Sequence, residues 1–303
     1  MRAVRYHEYG PAEVLRIEEA PDPQLVPDGV LVRVEAVSVN PIDWKVRVGL
    51  ARDVLPLELP VIPGRDAVGV VEAVGADVRD VRVGDRVLGL GGVQDTFAEL
   101  AVLTAYAPVP EGWTAGEAAS AGLAPATAMG ALAALGDVAG RTLLVEGGAG
   151  AVGAAVVALA VDRGARVVGT ARPSEHAVVE ALGGTPVTYG EGLAERVAAV
   201  APDGVDLVVD TAASGSLPDL VAIAGSADRV VTVADQQRAP ALGVTEAWAE
   251  NRSDWLRAAT DLGERGRYRP RVGRELPWTD VVEAHRVAER GSTGGKIVLL
   301  LDS

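Results

Sequence analysis

The sequence predicts an α/β protein: a β-rich opening third followed by a doubly wound, parallel-sheet domain. Three observations carry this reading. Leu31 to Val39 runs Leu-Val-Arg-Val-Glu-Ala-Val-Ser-Val, the period-2 alternation of a half-buried strand. From about Gly116 the texture changes to Ala-rich helical segments alternating with short aliphatic strands, the spacing of βαβ units. Where the first of those strands meets its helix lies a glycine-rich turn, Gly147-Gly148-Ala149-Gly150-Ala151-Val152-Gly153.

In the opening third, Gly64 to Val74, Val81 to Leu90 and Ala98 to Leu103 join Leu31 to Val39 as strands separated by Gly and Asp turns, an all-β unit. The parallel sheet is expected from Leu143 to Val145, Val167 to Thr170, Leu207 to Asp210 and Arg229 to Val233. Beyond Asn251, Asp254 to Arg265 and Thr279 to Glu289 read as amphipathic helices, and Lys296 to Leu301 as a closing strand. Two uncharged runs raise the question of membrane spans. Ala118 to Gly136 is interrupted by Pro125 and poor in Leu, Ile and Phe, and Gly147 to Val161 is too short, so both read as buried helices.

The 303 residues are 49% hydrophobic and 23% charged, which fits a packed soluble protein and excludes disorder. Lys and Arg total 28 against 42 Asp and Glu, a net charge of -14 that repels phosphate backbones, so no nucleic-acid partner is expected. There is no cysteine, which removes disulfides, thiolate nucleophiles and Cys-based zinc sites. His7, His176 and His285 are scattered and in no ligand pattern, so no metal is expected. The first residues lack an apolar signal segment; a cytoplasmic location and no membrane partner are expected.

Gly148-x-Gly150-x-x-Gly153, placed after a strand and before an apolar helix, is the arrangement that lets a backbone approach a pyrophosphate. Ala151 and Val152 open the helix and offer unpaired N–H groups to the anion. The second strand runs Arg166 to Arg172 and ends without the acid that holds an adenosine-ribose 2′-hydroxyl. Thr170 and Arg172 are expected to hydrogen-bond and neutralise a 2′-phosphate, favouring NADPH over NADH. Thr211 and Ala234 follow the third and fourth predicted strands, at the carboxyl ends where such sheets bind ligands.

The chain resembles the medium-chain dehydrogenase/reductase superfamily over nearly its full length, in its zinc-independent quinone oxidoreductase branch. The matching stretches are Met1 to Gly10, Ser38-Val39-Asn40-Pro41-Ile42-Asp43-Trp44-Lys45, Pro63-Gly64-Arg65-Asp66 with Gly69-Val70-Val71, Val83-Gly84-Asp85-Arg86-Val87, and Gly294-Gly295-Lys296-Ile297-Val298-Leu299. Zinc-dependent relatives carry a cysteine near Asn40, Gly-His-Glu in place of Gly64-Arg65-Asp66, and a four-cysteine lobe, none of which is present. The resemblance implies a GroES-like domain at residues 1–118 and 251–303, a Rossmann NADPH-binding domain at 119–250, and an active site in the cleft between them. It implies NADPH-dependent reduction of quinones or of the C=C bond of α,β-unsaturated carbonyls. By the same analogy Asn40 lies beside the nicotinamide ribose, Thr127 approaches the nicotinamide or phosphates, and a homodimer is expected.

Asp43 and Lys45 complete the candidate catalytic group. Lys45 reads either as the cation that stabilises an enolate or quinol oxyanion or as a surface cation paired with Asp43. With aromatics at only 4%, Trp44 and Trp248 are the candidates for stacking on a flat substrate, against core packing for Trp44 and packing between the domains for Trp248. Two rival readings stay open: an enoyl-thioester reductase, and a cofactor-binding redox sensor without turnover.

Overall fold

A computed structural model describes residues 1–53, 55–291 and 293–301. In chain order the β-rich part holds β1 (Arg2–Arg5), β2 (Arg16–Glu19), β3 (Val30–Val39), α1 (Pro41–Arg47), β4 (Asp66–Val74), β5 (Arg86–Leu90), β6 (Leu100–Leu103), β7 (Ala105–Pro108) and α2 (Ala115–Ala119). There follow α3 (Leu123–Leu135), β8 (Thr142–Glu146), α4 (Ala151–Asp162), β9 (Arg166–Thr170), α5 (His176–Ala181), β10 (Thr185–Val187), α6 (Leu193–Val200), β11 (Leu207–Asp210), α7 (Leu217–Ala224), β12 (Val230–Thr232), α8 (Ala239–Leu242) and β13 (Thr245–Glu246). The chain closes with α9 (Ser253–Glu264), β14 (Val272–Pro277), α10 (Val281–Arg290) and β15 (Lys296–Leu300).

Two units result. The first comprises Met1–Leu123, Asn251–Glu264 and Arg269–Ser303; the second comprises Ala124–Glu250 and Arg265–Tyr268.

The first unit is organised around β3. One edge pairs antiparallel with β4; on the other, the first half pairs with β6 and the second half with β15. Along it the alternation of Leu31 to Glu35 gives way to continuous burial from Ala36 to Val39, where both faces of the strand are covered. The sheet runs β14-β15-β3-β4-β5-β7, and its parallel pair β14 and β15 is joined across α10. Val32, Val37, Val39, Phe97, Leu103, Trp278 and Leu299 fill its core. His285 is buried there with its ring edge-on to Phe97 at 6.0 Å, and burial pushes its imidazole down to about 3, so it sits neutral in the core.

The opening third is therefore not all-β. Asn40 and Pro41 start α1 as cap and first residue, with the Asp43 carboxylate accepting the Asn40 N–H at 2.7 Å. Seven residues are too few to show a helical period, so only these start signals stood in the sequence. Likewise β14 was not anticipated, since its residues are mostly exposed and lack alternation.

The second unit holds six parallel strands in the order β10-β9-β8-β11-β12-β13. Renumbered within the unit this is 3-2-1-4-5-6, the doubly wound order with its switch point between β8 and β11. The two edge strands β10 and β13, three and two residues long, carried no readable pattern. Helix α4 is apolar on all sides and buried accordingly. Pro125 does not break α3: it falls in the first turn, where no intrahelical partner awaits its missing N–H. The run Ala115–Leu135 is long and apolar enough to cross a membrane by composition, yet 72% of its apolar 18-residue stretch is buried inside the protein.

The close approach of β3 and β4 needs a glycine at position 69, where an added Cβ would lie 2.2 Å from the Arg33 carbonyl oxygen and 3.1 Å from the Val34 Cα. Both neighbours are backbone of the central strand and cannot yield. Gly69→Ala is expected to destabilise the protein by about 1–3 kcal/mol, read as a lowered midpoint in chemical denaturation.

Candidate active site

In the first unit the ends of β3, β4 and β15 bring together four polar side chains that water barely reaches: Ser38, Asn40, Asp66 and Lys296. One oxygen of the Asp66 carboxylate accepts Ser38 Oγ at 2.8 Å and Asn40 Nδ2 at 2.7 Å; the other accepts the Leu123 N–H at 3.0 Å. Lys296 Nζ donates to Asn40 Oδ1 and lies 4.0 Å from Asp66 Oδ2. Lysine only donates and the carboxylate only accepts, which fixes the Asn40 amide: oxygen toward Lys296, nitrogen toward Asp66. The second Nδ2 hydrogen goes to the Ser38 carbonyl at 3.2 Å. Asn40, only 3% exposed, thus has both ends of its amide engaged inside the unit.

Asp43 is buried on the first turn of α1, with Oδ2 on the Asn40 N–H and Oδ1 without a partner. Burial pushes its carboxyl up to about 7, against the lowering effect of that hydrogen bond. Of the two readings of Lys45, the pairing with Asp43 is not formed, because residues two apart on a helix point to different sides. Lys45 is half-buried, with Nζ 6.0 Å from the centre of the Trp44 ring. Trp44 is half-buried too, rather than a core residue.

In the second unit the glycine turn falls at the carboxyl end of β8. Gly147 takes φ of +78°, Gly150 caps α4 with no side-chain bond, and Ala151 and Val152 stand half-exposed at the helix start. A Cβ on Gly153 would lie 2.1 Å from the Gly147 carbonyl oxygen, and one on Gly148 3.0 Å from Gly169 Cα in β9. These glycines let loop, helix and strand close to backbone contact, which fits a dinucleotide cradle. Thr127 lies half-buried on α3.

Behind the turn sits a residue that the motif did not reveal. Glu146, 2% exposed, accepts Thr170 Oγ1 at 2.8 Å on one oxygen and Ser214 Oγ at 3.0 Å and Ser216 Oγ at 3.2 Å on the other. Its carbonyl takes the Thr211 hydroxyl at 2.7 Å. The expectation for Thr170 is therefore corrected: its hydroxyl is buried, donates to Glu146 and accepts the Gly147 N–H at 2.9 Å, leaving no hydrogen for a 2′-phosphate. It braces the glycine turn instead. Thr211 is likewise engaged, and Ala234 donates its N–H to Thr232 Oγ1 at 3.1 Å; both follow carboxyl ends of strands, as expected from their place in the chain.

A signal for this girdle was present, since β8, β9, β11 and β12 each run aliphatic into one polar residue: Glu146, Thr170, Asp210 and Thr232. Arg172 stands just past β9 with its side chain 48% exposed and ion-paired to Glu175 at 3.1 Å. Trp248 is 61% exposed beyond β13. A cavity of about 310 Å³ opens at the opposite end of the sheet, lined by Thr142, Arg166, Thr185 and Asp203 among others, away from the glycine turn.

An antiparallel unit of this kind, in one chain with a 3-2-1-4-5-6 sheet bearing a glycine turn at its switch point, defines a two-unit nucleotide-dependent oxidoreductase. The chain belongs to the medium-chain dehydrogenase/reductase superfamily, in its quinone oxidoreductase-like branch. Residues 26–117 match the alcohol dehydrogenase GroES-like domain and residues 182–299 the zinc-binding dehydrogenase domain. A 2-methylene-furan-3-one reductase of Solanum lycopersicum is 31% identical over 99% of this chain and 79% of its own length. The human quinone oxidoreductase is 30% identical over 99% and 98%. A mycobacterial protein solved in complex with NADPH is 29% identical, with a TM-score of 0.78 over 99% of this chain and 100% of that one.

At the positions where zinc-dependent relatives carry their ligands, Asn40, Arg65 and Asp66, the residues of this chain do not fit a zinc ion. Arg65 cannot ligate, Asn40 Oδ1 already accepts from Lys296, and the ammonium beside Asp66 would repel a second cation. Among the described residues no three His, Cys, Asp or Glu side chains converge as a metal site.

Two outcomes follow from this geometry. The folded-state pKa of Asp43 lies above its unfolded value of 3.8, so the folded protein holds the extra proton between about 4 and 7 and loses stability as pH rises through that range. Asp43→Asn is expected to flatten the fall of Tm between pH 4 and 8 by several degrees, measured by calorimetry. Gly153→Ala is expected to weaken nicotinamide-dinucleotide binding at least tenfold, measured by fluorescence titration, since its methyl group displaces the turn.

Proposed function

We propose that this oxidoreductase takes NADPH as its reductant and reduces small quinones or the C=C bond of α,β-unsaturated carbonyls without a zinc ion. The observation that carries the cofactor choice is the end of β9. No acid stands at the strand terminus, and the first charged group beyond it, Arg172, reaches solvent. An adenosine-ribose 2′-phosphate carries close to two negative charges and would draw that guanidinium away from Glu175, because an exposed ion pair of this kind is worth only about 0–1 kcal/mol. The NADPH-bound mycobacterial relative supports the choice. The names of the tomato and human relatives support the substrate class.

A dinucleotide held by its pyrophosphate at the glycine turn would supply a hydride from its dihydronicotinamide. The residues of the chain hold and orient: Gly148, Gly150 and Gly153 admit the pyrophosphate to the N–H groups of Ala151 and Val152, and Glu146 and Thr170 hold the turn in shape behind it. On the first unit, Asn40 and Asp43 set the start of α1, and with it the place of Trp44 and Lys45. Lewis-acid chemistry finds no ligand set there, so activation of the substrate oxygen falls to fixed hydrogen-bond donors.

The test is steady-state oxidation of NADPH and of NADH against a panel of quinones and enones. Arg172→Ala is expected to raise the KM for NADPH by about 10–100-fold and to leave that for NADH unchanged, and Glu175→Gln to lower the KM for NADPH, since Arg172 loses its competitor. Equal losses for both cofactors would defeat the NADPH reading. A protein that binds NADPH tightly and reduces nothing in the panel would be a cofactor sensor rather than an enzyme.

A further inference from the structure

The segment before β4 and the loop after β5 are bound together by main-chain hydrogen bonds: Gly91 N–H to the Arg65 carbonyl at 2.9 Å and Phe97 N–H to the Pro63 carbonyl at 3.0 Å. Between these anchors the loop holds Asp95 at φ of +136°, a conformation that costs a non-glycine residue about 1–3 kcal/mol and persists only where the surroundings impose it. The Asp95 carboxylate ties the loop to itself through the Gly92 N–H at 3.1 and 3.2 Å.

Within this rigid piece two polar side chains are left unanswered. Arg65 Nη2 donates to Asn251 Oδ1 at 2.9 Å, and Asn251 is in turn fixed by the Gly91 carbonyl at 2.6 Å and Thr104 Oγ1 at 2.8 Å. Arg65 Nε is buried without an acceptor, Nη1 makes no hydrogen bond, and no carboxylate among the described residues pairs with the guanidinium. The side-chain amide of Gln94 is buried with neither end hydrogen-bonded. Buried donors are nearly always satisfied, so two orphans on two segments tied together call for a polar ligand.

The neighbouring cations are otherwise engaged. Lys296 serves Asn40 and Asp66, Arg47 is fully buried against Glu289, and Lys45 has the Trp44 ring but no hydrogen-bonded anchor. Arg65 alone is half-open and held in place from behind; the Asp95 and Asp43 carboxylates feel its charge, but neither makes an ion pair with it.

We propose that Arg65 is the residue that binds the carbonyl oxygen of the substrate, with Gln94 as a second donor from the facing loop. This rests on the quinone and enone reading above. As the β-carbon of an enone accepts hydride, the C=C electron pair shifts to form the enolate and the carbonyl oxygen gains the negative charge. Arg65 stabilises that oxyanion by charge and hydrogen bonding without giving up a proton. The α-carbon then takes its proton from water, so each turnover consumes one NADPH and one proton and yields NADP⁺ and the saturated ketone. In a quinone the charge falls on the quinol oxygen and water protonates it there.

The test has an arm for catalysis and an arm for binding. Arg65→Met is expected to lower kcat/KM for enones by about 10²–10³-fold with NADPH affinity unchanged, and Arg65→Lys to recover part of that loss. In the binding arm, 4-nitrophenol serves as an oxyanion probe read by its absorbance. Bound to the unaltered protein in the presence of NADP⁺ it should ionise at lower pH than free in solution, and Arg65→Met should abolish that shift. Turnover within twofold of the unaltered protein, together with an unchanged phenol titration, would overturn the assignment, as would a larger loss in Lys45→Met than in Arg65→Met. If the unaltered protein reduces no enone or quinone yet shows the Arg65-dependent phenol shift, the oxyanion site stands and the reductase reading falls.

Discussion

A carboxylate with no contact to water has to be answered by hydrogen bonds or charge, and Asp66 is answered from three parts of the chain. Ser38 and Asn40 come from the end of β3, the Leu123 N–H from the close of the first unit's opening segment, and Lys296 from the first residue of β15. Removing any one of these donors leaves a buried charge short of partners, a loss that greatly exceeds the net worth of the pair. The requirement is therefore less a source of stability than a specification: three strand ends must meet in one register, and the start of α1 must face Asp66.

The second unit solves the same problem with neutral partners. Among the described residues no cation pairs with Glu146; three hydroxyls and the geometry of the turn hold it. Asp210 repeats the pattern one strand over, accepting Thr232 Oγ1 and the N–H groups of Ala212 and Ala213. In a chain of net charge -14, the anion-attracting element at the glycine turn is the start of α4 itself.

What the sequence made legible was what is local. The period of β3, the aliphatic strands of the sheet and the glycine turn each declare themselves within a dozen residues. The strands β10 and β13 were too short to show a period, and α1 was visible only through Asn40, Pro41 and Asp43. Side-chain roles depended on distance along the chain. Lys296 reaches Asn40 across 256 positions, and nothing around either residue announces the other. Thr170 was placed correctly at its strand end, but only the fold shows that its hydroxyl turns inward to Glu146. Proximity in sequence offered Asp43 as one possible partner of Lys45, a pairing that the helical geometry of α1 forbids.

The burial of Lys296 has a chemical consequence when taken with the residues the chain lacks. α,β-Unsaturated carbonyls and quinones are soft electrophiles that alkylate thiols first and amines next. This chain offers them no cysteine, and Lys45 and Lys296 are its only lysines. One amine is closed off between Asn40 and Asp66, and the imidazole of His285 lies sealed in the core. Outside these, the side-chain amine and imidazole nucleophiles of the chain are Lys45, His7 and His176. The composition that rules out a thiolate mechanism also removes the side chain most readily alkylated by the compounds it is proposed to reduce.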